Sequence, residues 1–539
     1  MTTQIRSLFS LRRAAQTALD TAPGRRTADW PHAIDAWLAA ACGLAVLFVH
    51  DVPYMLSHSF WVDEAWVADT VRAPIGMTNA LKGTAPLGWL YLLRLVPHFG
   101  SADYLRFVPL GFAMLAAAAG YLLGRELRLD RYITGILTGA AVLLVPAMLV
   151  RDDLKQYTAE AFATVIVLLL IARMENEWRL RSLVAIAVVG SVGVLFAETL
   201  LLTGVAAMAS LGLECLVRTH YRRFLEVVGA SAGMLIVSLT IYATLIRSQA
   251  NSSLAAYWRS YYMPTTWHDA LPWLHRRLTE LAPYAGFKPL ILDAVLAAAG
   301  IAALIWLRRV ALAAMFPITL AIVIIASAAE RYPFADLRTS TFWLVIPPVL
   351  TAIAVAAAGR LAGRVDRRAP ALVAAAALAL WVFATYPSIR SHPLPSEDPQ
   401  SQIAYLNRHF RPGDVVVVNP AASYAFAYYY PATPSFPKAA VTNGFVVSYP
   451  SRPWIVILTN RQPADIVSGL AAARAQIAAE PADHRGRIWI IRSHQILAEI
   501  RTWQHLLAGQ PVQIIPVGSE PILLYRYRSP GSVASAAQG

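Results

Sequence analysis

Cysteine and charge are both scarce in this sequence of 539 residues, which contains 2 Cys and 14% charged residues. Cys42 and Cys215 lie inside apolar runs, so the chain offers neither a disulfide framework nor a cysteine-based zinc site. Hydrophobic residues make up 57% of the chain and the mean hydropathy is +0.49. This composition excludes a soluble cytoplasmic enzyme of this size.

Several catalytic signatures are also missing. The sequence has no GxxxxGK[ST], no GxGxxG after a strand, no HExxH and no GxSxG. Nucleotide hydrolysis, dinucleotide redox chemistry, zinc proteolysis and α/β-hydrolase chemistry therefore lack their usual motifs.

Acidic residues are fewer than basic ones, 32 against 46, which gives a net charge of +14. The arginines cluster in short stretches between apolar runs, so we expect a membrane protein and no nucleic-acid partner.

Long apolar runs are what the sequence has instead. Each is long enough, at about 17 to 25 residues, to cross a bilayer as a helix. The first 30 residues carry five arginines and no apolar core, so we interpret the first run as a retained helix and not a cleaved signal peptide. We predict a polytopic α-helical membrane protein with about 11 transmembrane helices, at 36–54, 104–124, 132–150, 158–174, 181–197, 199–217, 224–246, 290–307, 311–328, 341–359 and 370–386.

The arginines between these runs predict the orientation. With a cytoplasmic N-terminus, every inside loop is rich in arginine, as the positive-inside rule requires. The apolar stretch 85–99 is short and contains Arg94, so we predict an interfacial or re-entrant segment there. An odd number of spans sends the tail to the outer side of the cytoplasmic membrane. The inside loops hold Arg125, Arg128 and Arg131; Arg173, Arg179 and Arg181; Arg218, Arg222 and Arg223; Arg308 and Arg309; and Arg360, Arg364, Arg367 and Arg368.

The tail differs from the rest of the chain, because strand-like runs alternate there with helical patterns. Such alternation predicts a small α/β domain with a largely parallel sheet. The stretch ASYAFAYYY offers aromatic faces for carbohydrate, although its tyrosines would equally pack a helix onto the sheet. We thus expect a cytoplasmic segment at 1–35, a transmembrane catalytic domain at 36–386, an extracytoplasmic α/β domain at 387–530 that is a candidate for carbohydrate binding, and a flexible end at 531–539. The predicted strands are 415–418, 454–458, 488–491, 512–516 and 522–527, and the helices are 397–410, 464–479 and 494–508.

Adjacent carboxylates follow the first apolar run. Asp63 and Glu64 lie between Trp61 and Trp66 in the segment SFWVDEAWVADT. A carboxylate that is half desolvated at a membrane surface has a raised pKa, which suits a general base. The alternative is an acidic, aromatic patch of the kind that ordinarily marks a membrane interface.

Two further outer segments are unusually charged. In RDDLKQYTAEAF the cations would hold a phosphate and the carboxylates would bind a metal or an acceptor, unless these charges only neutralise one another at a helix end. In ERYPFADLRTSTF, positive charge is retained outside, which favours an anionic ligand unless it pairs with the neighbouring acids. Glu198, in a tight outer turn, is a supporting candidate. The segments supply Arg151, Asp152, Asp153, Lys155 and Tyr157, and then Arg331 and Arg338.

Taken together, these motifs resemble the GT-C superfamily of polytopic glycosyltransferases, particularly protein O-mannosyltransferases and lipid A aminoarabinose transferases. The resemblance rests on the Asp63–Glu64 pair after the first helix, on an outer C-terminal domain and on four segments. They are PLGWLYLLRLVPHFG, YLRFVPLGFAMLAAAAGYLLGREL, LKQYTAEAF and RYPFADLRTSTF.

The resemblance implies an inverting glycosyltransferase that takes a sugar from a polyprenyl-phosphate donor in the bilayer. The acceptor would be an envelope glycan, glycolipid or protein on the outer face of the cytoplasmic membrane, and arabinose and mannose are both plausible sugars. Asp63 would be the general base and Glu64 its support. Metal use differs within the superfamily, so Mg²⁺ or Mn²⁺ stays an open alternative. The donor phosphate would meet Lys82, Arg151, Lys155, Tyr157, Arg331 and Arg338, and acceptor or metal support would come from Asp152, Asp153 and Glu198.

Two other classes of function compete with this interpretation. In a polysaccharide or lipid transporter the outer carboxylates would line a conduit, but neither inverted repeats nor broken helices at mid-membrane are visible in the sequence. In a catalytically inert partner, the tail would bind glycan and Asp63 would be dispensable.

Overall fold

A computed structural model of the chain describes residues 33–81, 83, 85–96, 102–148, 154–246, 258–286, 290–334, 337–390, 397–437, 445–481 and 485–526. Four of the candidate site residues, Lys82, Arg151, Asp152 and Asp153, lie outside these ranges, as does the end at 531–539.

The first 390 residues, where described, are helical. The α-helices are α1 Ala33–Leu44, α2 Val46–Val49, α3 Val52–Ser57, α4 Val62–Arg72, α5 Thr78–Leu81, α6 Leu87–Arg94, α7 Phe107–Glu126, α8 Arg131–Leu143, α9 Tyr157–Asn176, α10 Leu180–Ser191, α11 Leu200–Val217, α12 Tyr221–Ile241, α13 Trp267–Ala285, α14 Leu290–Trp306, α15 Val310–Ala328, α16 Leu337–Leu344, α17 Ile346–Ala362 and α18 Ala369–Ile389. Shorter turns of 3₁₀ or π type lie at Ile75–Met77, Ala102–Arg106, Val192–Leu195, Tyr242–Ile246 and Arg259–Tyr261.

Among the described residues, seven helices are long and apolar enough to cross a membrane, or eight if the bent pair α13 and α14 is one span. The chain is therefore a multi-pass membrane protein. Each of the eleven predicted apolar runs contains helix, but the number eleven is not confirmed. The runs at 36–54, 132–150 and 181–197 form shorter helices that end at Val49, Leu143 and Leu195. The seven long spans are Tyr104–Glu126, Tyr157–Asn176, Leu200–Val217, Tyr221–Leu245, Val310–Ala328, Leu337–Ala362 and Ala369–Ile389.

Close helix contacts hold this part together. A Cβ built on Gly300 of α14 would lie 2.2 Å from the carbonyl oxygen of Leu350 in α17, so only glycine permits this approach. The stretch predicted as interfacial or re-entrant contains the eight-residue helix α6, which is too short to span a bilayer. Its Arg94 donates hydrogen bonds to the backbone oxygens of Thr70 and Ala73, which fixes α6 to α4.

The described part of the tail forms a five-stranded sheet with strand order β2-β1-β3-β5-β4. Strand β1 pairs in parallel with β2 and β3, whereas β5 pairs antiparallel with β3 and β4. The sheet is therefore mixed. Strands β1, β2 and β3 are parallel, as predicted, whereas β5 runs against its neighbours because it follows β4 after a short turn that reverses the chain. The elements are α19 Pro399–His409, β1 Val415–Val418, α20 Ala422–Tyr429, β2 Ile455–Ile457, α21 Pro463–Ala479, β3 Ile488–Ile491, α22 Leu497–Leu507, β4 Val512–Ile515 and β5 Ile522–Tyr525.

Both faces of the sheet are covered, which is why all four valines of β1 are buried. Val415 and Val417 pack towards α21, while Val416 and Val418 belong to the cluster that joins the tail to α4. In that cluster Tyr424 of α20 stacks on Trp66, with ring centroids 5.2 Å apart. The C-terminal domain is thereby packed, through α20, against the helix that carries Asp63.

Candidate active site

Asp63 is the second residue of α4, two positions after the N-cap residue Trp61. The partial positive charge of a helix N-terminus stabilises a carboxylate at this position. The side chain is 23% exposed, so it is accessible from outside the protein. All described hydrogen bonds of the Asp63 side chain go to Oδ2, which leaves Oδ1 for another partner.

Two cations from distant parts of the chain meet at Oδ2 of Asp63. The Nζ atom of Lys155, just before α9, donates to it at 3.1 Å, and Nη1 of Arg338 in α16 donates at 3.0 Å. The Arg338 guanidinium also lies over the Trp61 ring, 5.4 Å from its centroid. One residue from each of the three charged segments therefore contributes to a single cluster, in which two cations meet one carboxylate.

The cations determine the ionisation of Asp63. Burial alone would raise its pKa, but the charges of Lys155 and Arg338 outweigh burial and hold the pKa below the ordinary value of 3.8. The sequence-based expectation of a raised pKa at Asp63 is therefore wrong. Asp63 is therefore an anion at neutral pH.

This balance predicts a pH effect. In Lys155→Met one of the two opposing charges is lost and burial is left less compensated, so the pKa of Asp63 rises. A general base works in its ionised form, so with Asp63 in that role the acid limb of the kcat/KM profile should move to higher pH than in the wild type. Initial rates of transfer measured over a pH series check this, and an acid limb that stays in place would contradict the pairing.

Glu64 points away from this cluster and is fully buried against Arg106. The guanidinium donates to both carboxylate oxygens, from Nε to Oε1 at 2.8 Å and from Nη2 to Oε2 at 2.5 Å. Arg106 Nη1 also donates to the backbone oxygens of Met55 and His58. Glu64 therefore anchors α4 to the segment before α7. Sequence reasoning missed Arg106, although it lies in the quoted stretch YLRFVPLG and is a cation at the edge of an apolar run.

The remaining described candidates lie around this cluster. Tyr157 is buried at the start of α9. Arg331 is exposed after α15, and none of the described contacts joins it to Asp63. Glu198 is exposed in the turn before α11 and interacts electrostatically with Glu160.

A divalent cation does not fit the described residues of the cluster. Among them, no three His, Cys, Asp or Glu side chains lie close enough together to hold a metal ion. Mg²⁺ and Mn²⁺ prefer several oxygen ligands, whereas Oδ2 of Asp63 already faces an ammonium and a guanidinium. We therefore derive no step of the chemistry through a metal.

No protein-family model and no curated protein matches the sequence. Solved structures similar to the chain include ArnT from Cupriavidus metallidurans bound to undecaprenyl phosphate, at 12% identity and a TM-score of 0.49, covering 92% of this chain and 98% of that one. The apo state of the same protein gives 13% identity and the same TM-score and coverage. An oligosaccharyltransferase from Archaeoglobus fulgidus, tethered to an acceptor peptide, gives 13% identity and a TM-score of 0.45, covering 78% of this chain and 61% of that one.

Both proteins are GT-C glycosyltransferases, the superfamily that the sequence motifs resemble. At this identity and these scores the likeness says nothing about the donor, acceptor or catalytic residues of this chain. Those are inferred from the chain's own side chains.

Proposed function

We propose that the protein is an inverting glycosyltransferase that moves a sugar from a polyprenyl-phosphate donor to an acceptor hydroxyl at the outer face of the cytoplasmic membrane. The acceptor would be an envelope glycan, glycolipid or protein, and the C-terminal domain would lie on the same outer side. The observation that carries the proposal is the meeting of Asp63 with Lys155 and Arg338 beside membrane-spanning helices.

The charge of the cluster supports an anionic ligand. The described residues bring two cations, Lys155 and Arg338, to a single carboxylate. A phosphate can take the place of Oδ2 in front of Lys155 and Arg338, since both groups bind phosphate oxygens well. Exchange of partners on donor binding would also release Asp63, whose pKa would then rise and make it a stronger base.

The reaction that follows is a single displacement. Asp63 takes the proton of the acceptor hydroxyl while the hydroxyl oxygen forms a bond to the anomeric carbon. The bond between that carbon and the phosphate oxygen breaks, and polyprenyl phosphate leaves with the electron pair. Lys155 and Arg338 stabilise the negative charge that develops on the phosphate. Attack opposite to the leaving group inverts the anomeric configuration relative to the donor.

The direct test is a transfer assay with the purified full-length protein in lipid. A panel of polyprenyl-phosphate sugars, including arabinose and mannose, is offered together with cell-envelope acceptors, and the anomeric configuration of the product is read by NMR. We expect transfer from at least one donor with inversion. Absence of transfer from every donor would favour transport or glycan binding, and retention would exclude the single displacement.

The phosphate role of the cations makes a separate prediction. Arg338→Gln removes a charge-assisted hydrogen bond that is worth about 1.5–3 kcal/mol, so the KM for the donor should rise roughly ten- to a hundredfold. Binding of short-chain polyprenyl phosphate without a sugar, measured by microscale thermophoresis, should weaken by a similar factor.

Arg259→Gln is the matched control, because Arg259 is an exposed arginine of another outer segment. It should leave both the donor KM and phosphate binding unchanged. Equal binding of polyprenyl phosphate by Arg338→Gln and the wild type would refute the assignment of Arg338 to the phosphate.

A further inference from the structure

The helix that carries Asp63 has no N-terminal cap of its own. Trp61 at the N-cap position provides no side-chain hydrogen bond to α4. The backbone N–H of Val62 instead donates to Oε2 of Glu397 at 3.1 Å. Glu397 belongs to the segment that leads into α19, 335 residues further along the chain. An acid from the C-terminal part therefore caps α4, and a carboxylate is well suited to this position.

Glu397 connects this helix end to the end of strand β3. Its Oε2 atom also accepts a hydrogen bond from Oγ of Ser493 at 2.7 Å. Its Oε1 atom lies 2.7 Å from Nδ1 of His494. Glu397 itself is 7% exposed, so these bonds are shielded from water. Both oxygens are thereby committed, one to the start of α4 and one to an imidazole.

His494 is held beside Asp63 in an unusual conformation. Its backbone φ is 51°, in the left-handed region that residues with a side chain rarely adopt, and Arg461 donates to its carbonyl oxygen. The centroid of its ring lies 6.1 Å from that of Trp61, the residue immediately before α4. Non-glycine residues in this region are commonly found at functional sites, where the surrounding structure compensates for the strain.

The charges around His494 are consistent with a role at the site. The hydrogen bond that His494 donates to Glu397 raises the pKa of His494, an effect strengthened by the charges of Glu397 and Asp63 and opposed by burial and Arg461. His494 in turn helps to lower the pKa of Asp63. Because Glu397 occupies Nδ1, and the described residues offer no partner to Nε2, the second nitrogen is left for a group that enters next to Asp63.

We infer that Glu397 and His494 are positioning residues of the active site, with Glu397 fixing the start of the Asp63 helix and holding the imidazole of His494 where an acceptor hydroxyl approaches Asp63. The inference rests on the proposed function. It makes the C-terminal domain an integral part of the catalytic centre, beyond any role in binding carbohydrate.

Two substitutions of Glu397 separate its two contacts. In Glu397→Gln the side-chain oxygen still accepts from Val62 and Ser493, but the NH₂ group faces Nδ1 of His494 and reverses that hydrogen bond. In Glu397→Ala both contacts are lost. We expect hydrogen–deuterium exchange of the peptide 60–72, followed by mass spectrometry, to be unchanged in Glu397→Gln and faster at its N-terminal amides in Glu397→Ala. Glu480→Ala, at an exposed acid of the same domain, should change nothing.

Measurements of kcat and KM show whether Glu397 and His494 position the active site or only hold the C-terminal domain in place. Loss of alignment by about an ångström costs about a hundredfold in rate, so His494→Asn and Glu397→Gln should lower kcat by roughly ten- to a hundredfold. The donor KM should stay within about twofold, because the phosphate cations are untouched. His505→Asn, at an exposed histidine of α22, should keep the wild-type kcat.

The outcomes distinguish the two proposals. A wild-type protein that transfers no sugar overturns the proposed function, and with it the catalytic role of His494, whereas the exchange data still decide whether Glu397 holds α4. A wild-type protein that transfers sugar, with His494→Asn equally active, overturns the present inference alone. Unchanged exchange in Glu397→Ala also overturns it, as does a fall in kcat that is matched by a loss of folded protein in size-exclusion chromatography.

Discussion

Asp63→Asn should abolish most of the transfer activity while leaving the protein folded and able to bind polyprenyl phosphate. Asparagine keeps the shape and a hydrogen-bond acceptor for Lys155 and Arg338, but it cannot take a proton from the acceptor hydroxyl. Loss of a general base costs about 10²- to 10⁴-fold in rate. The variant removes a negative charge from beside Lys155 and Arg338, so polyprenyl phosphate should bind at least as tightly as in the wild type. Single-turnover transfer and phosphate binding in the same lipid preparation measure both effects.

Asp69→Asn is the matched control, on the same helix six residues further on. Asp69 is buried, and burial raises its pKa well above the ordinary value, against the opposing charge of Arg72. Burial favours the neutral form of this carboxyl, which asparagine mimics, so this variant should transfer sugar like the wild type. Full activity in Asp63→Asn would instead show that Asp63 is not the general base, and the site assignments built on it would fall.

Much of the fold can be predicted from hydropathy and alternation. The runs 415–418 and 488–491 coincide with β1 and β3, since a strand covered on both faces needs a continuous apolar stretch. The count of eleven spans could not be predicted in the same way. Hydropathy does not show where a helix ends, and the run 132–150 stops being α-helical at Leu143, just before Pro146.

The members of the site were partly predictable, but their pairing was not. Asp63, Lys155 and Arg338 attract attention as charges next to apolar runs, yet which acid meets which base depends on contacts across as many as 275 residues. The wrong direction for the Asp63 pKa has the same origin, because a sequence suggests burial and hides the counter-charges. Glu397 and His494 gave no signal at all, since neither belongs to a recognisable motif.

The tyrosines of ASYAFAYYY show the same limit. The aromatic content suggested a carbohydrate surface, with helix packing as the alternative. Tyr424 stacks on Trp66, and the hydroxyl of Tyr429 accepts a hydrogen bond from the backbone N–H of Phe60 at 2.8 Å. These two residues hold the C-terminal domain onto the segment around Asp63. Carbohydrate binding by other parts of the domain stays a prediction.

Arg106→Met should cause the largest loss of stability among single substitutions at this site. Arg106 and Glu64 are both fully buried, and removing one partner of such a pair costs about 3–5 kcal/mol because the other charge is left unpaired. The substitution also leaves the backbone oxygens of Met55 and His58 without their donor. Unfolding in detergent micelles, followed by circular dichroism during titration with SDS, measures the free energy of unfolding.

Adding Glu64→Gln to Arg106→Met shows whether the unpaired charge of Glu64 or the loss of hydrogen bonds to the backbone causes most of the destabilisation. In Glu64→Gln/Arg106→Met no unpaired charge remains, so the double variant should recover part of the lost stability, although the backbone oxygens stay unsatisfied. Arg222→Met, at a side chain that is 95% exposed, should change the free energy of unfolding by no more than about 0.5 kcal/mol. A double variant as unstable as Arg106→Met would show that the hydrogen bonds to the loop before α4, and not the ion pair with Glu64, keep the Asp63 helix in place.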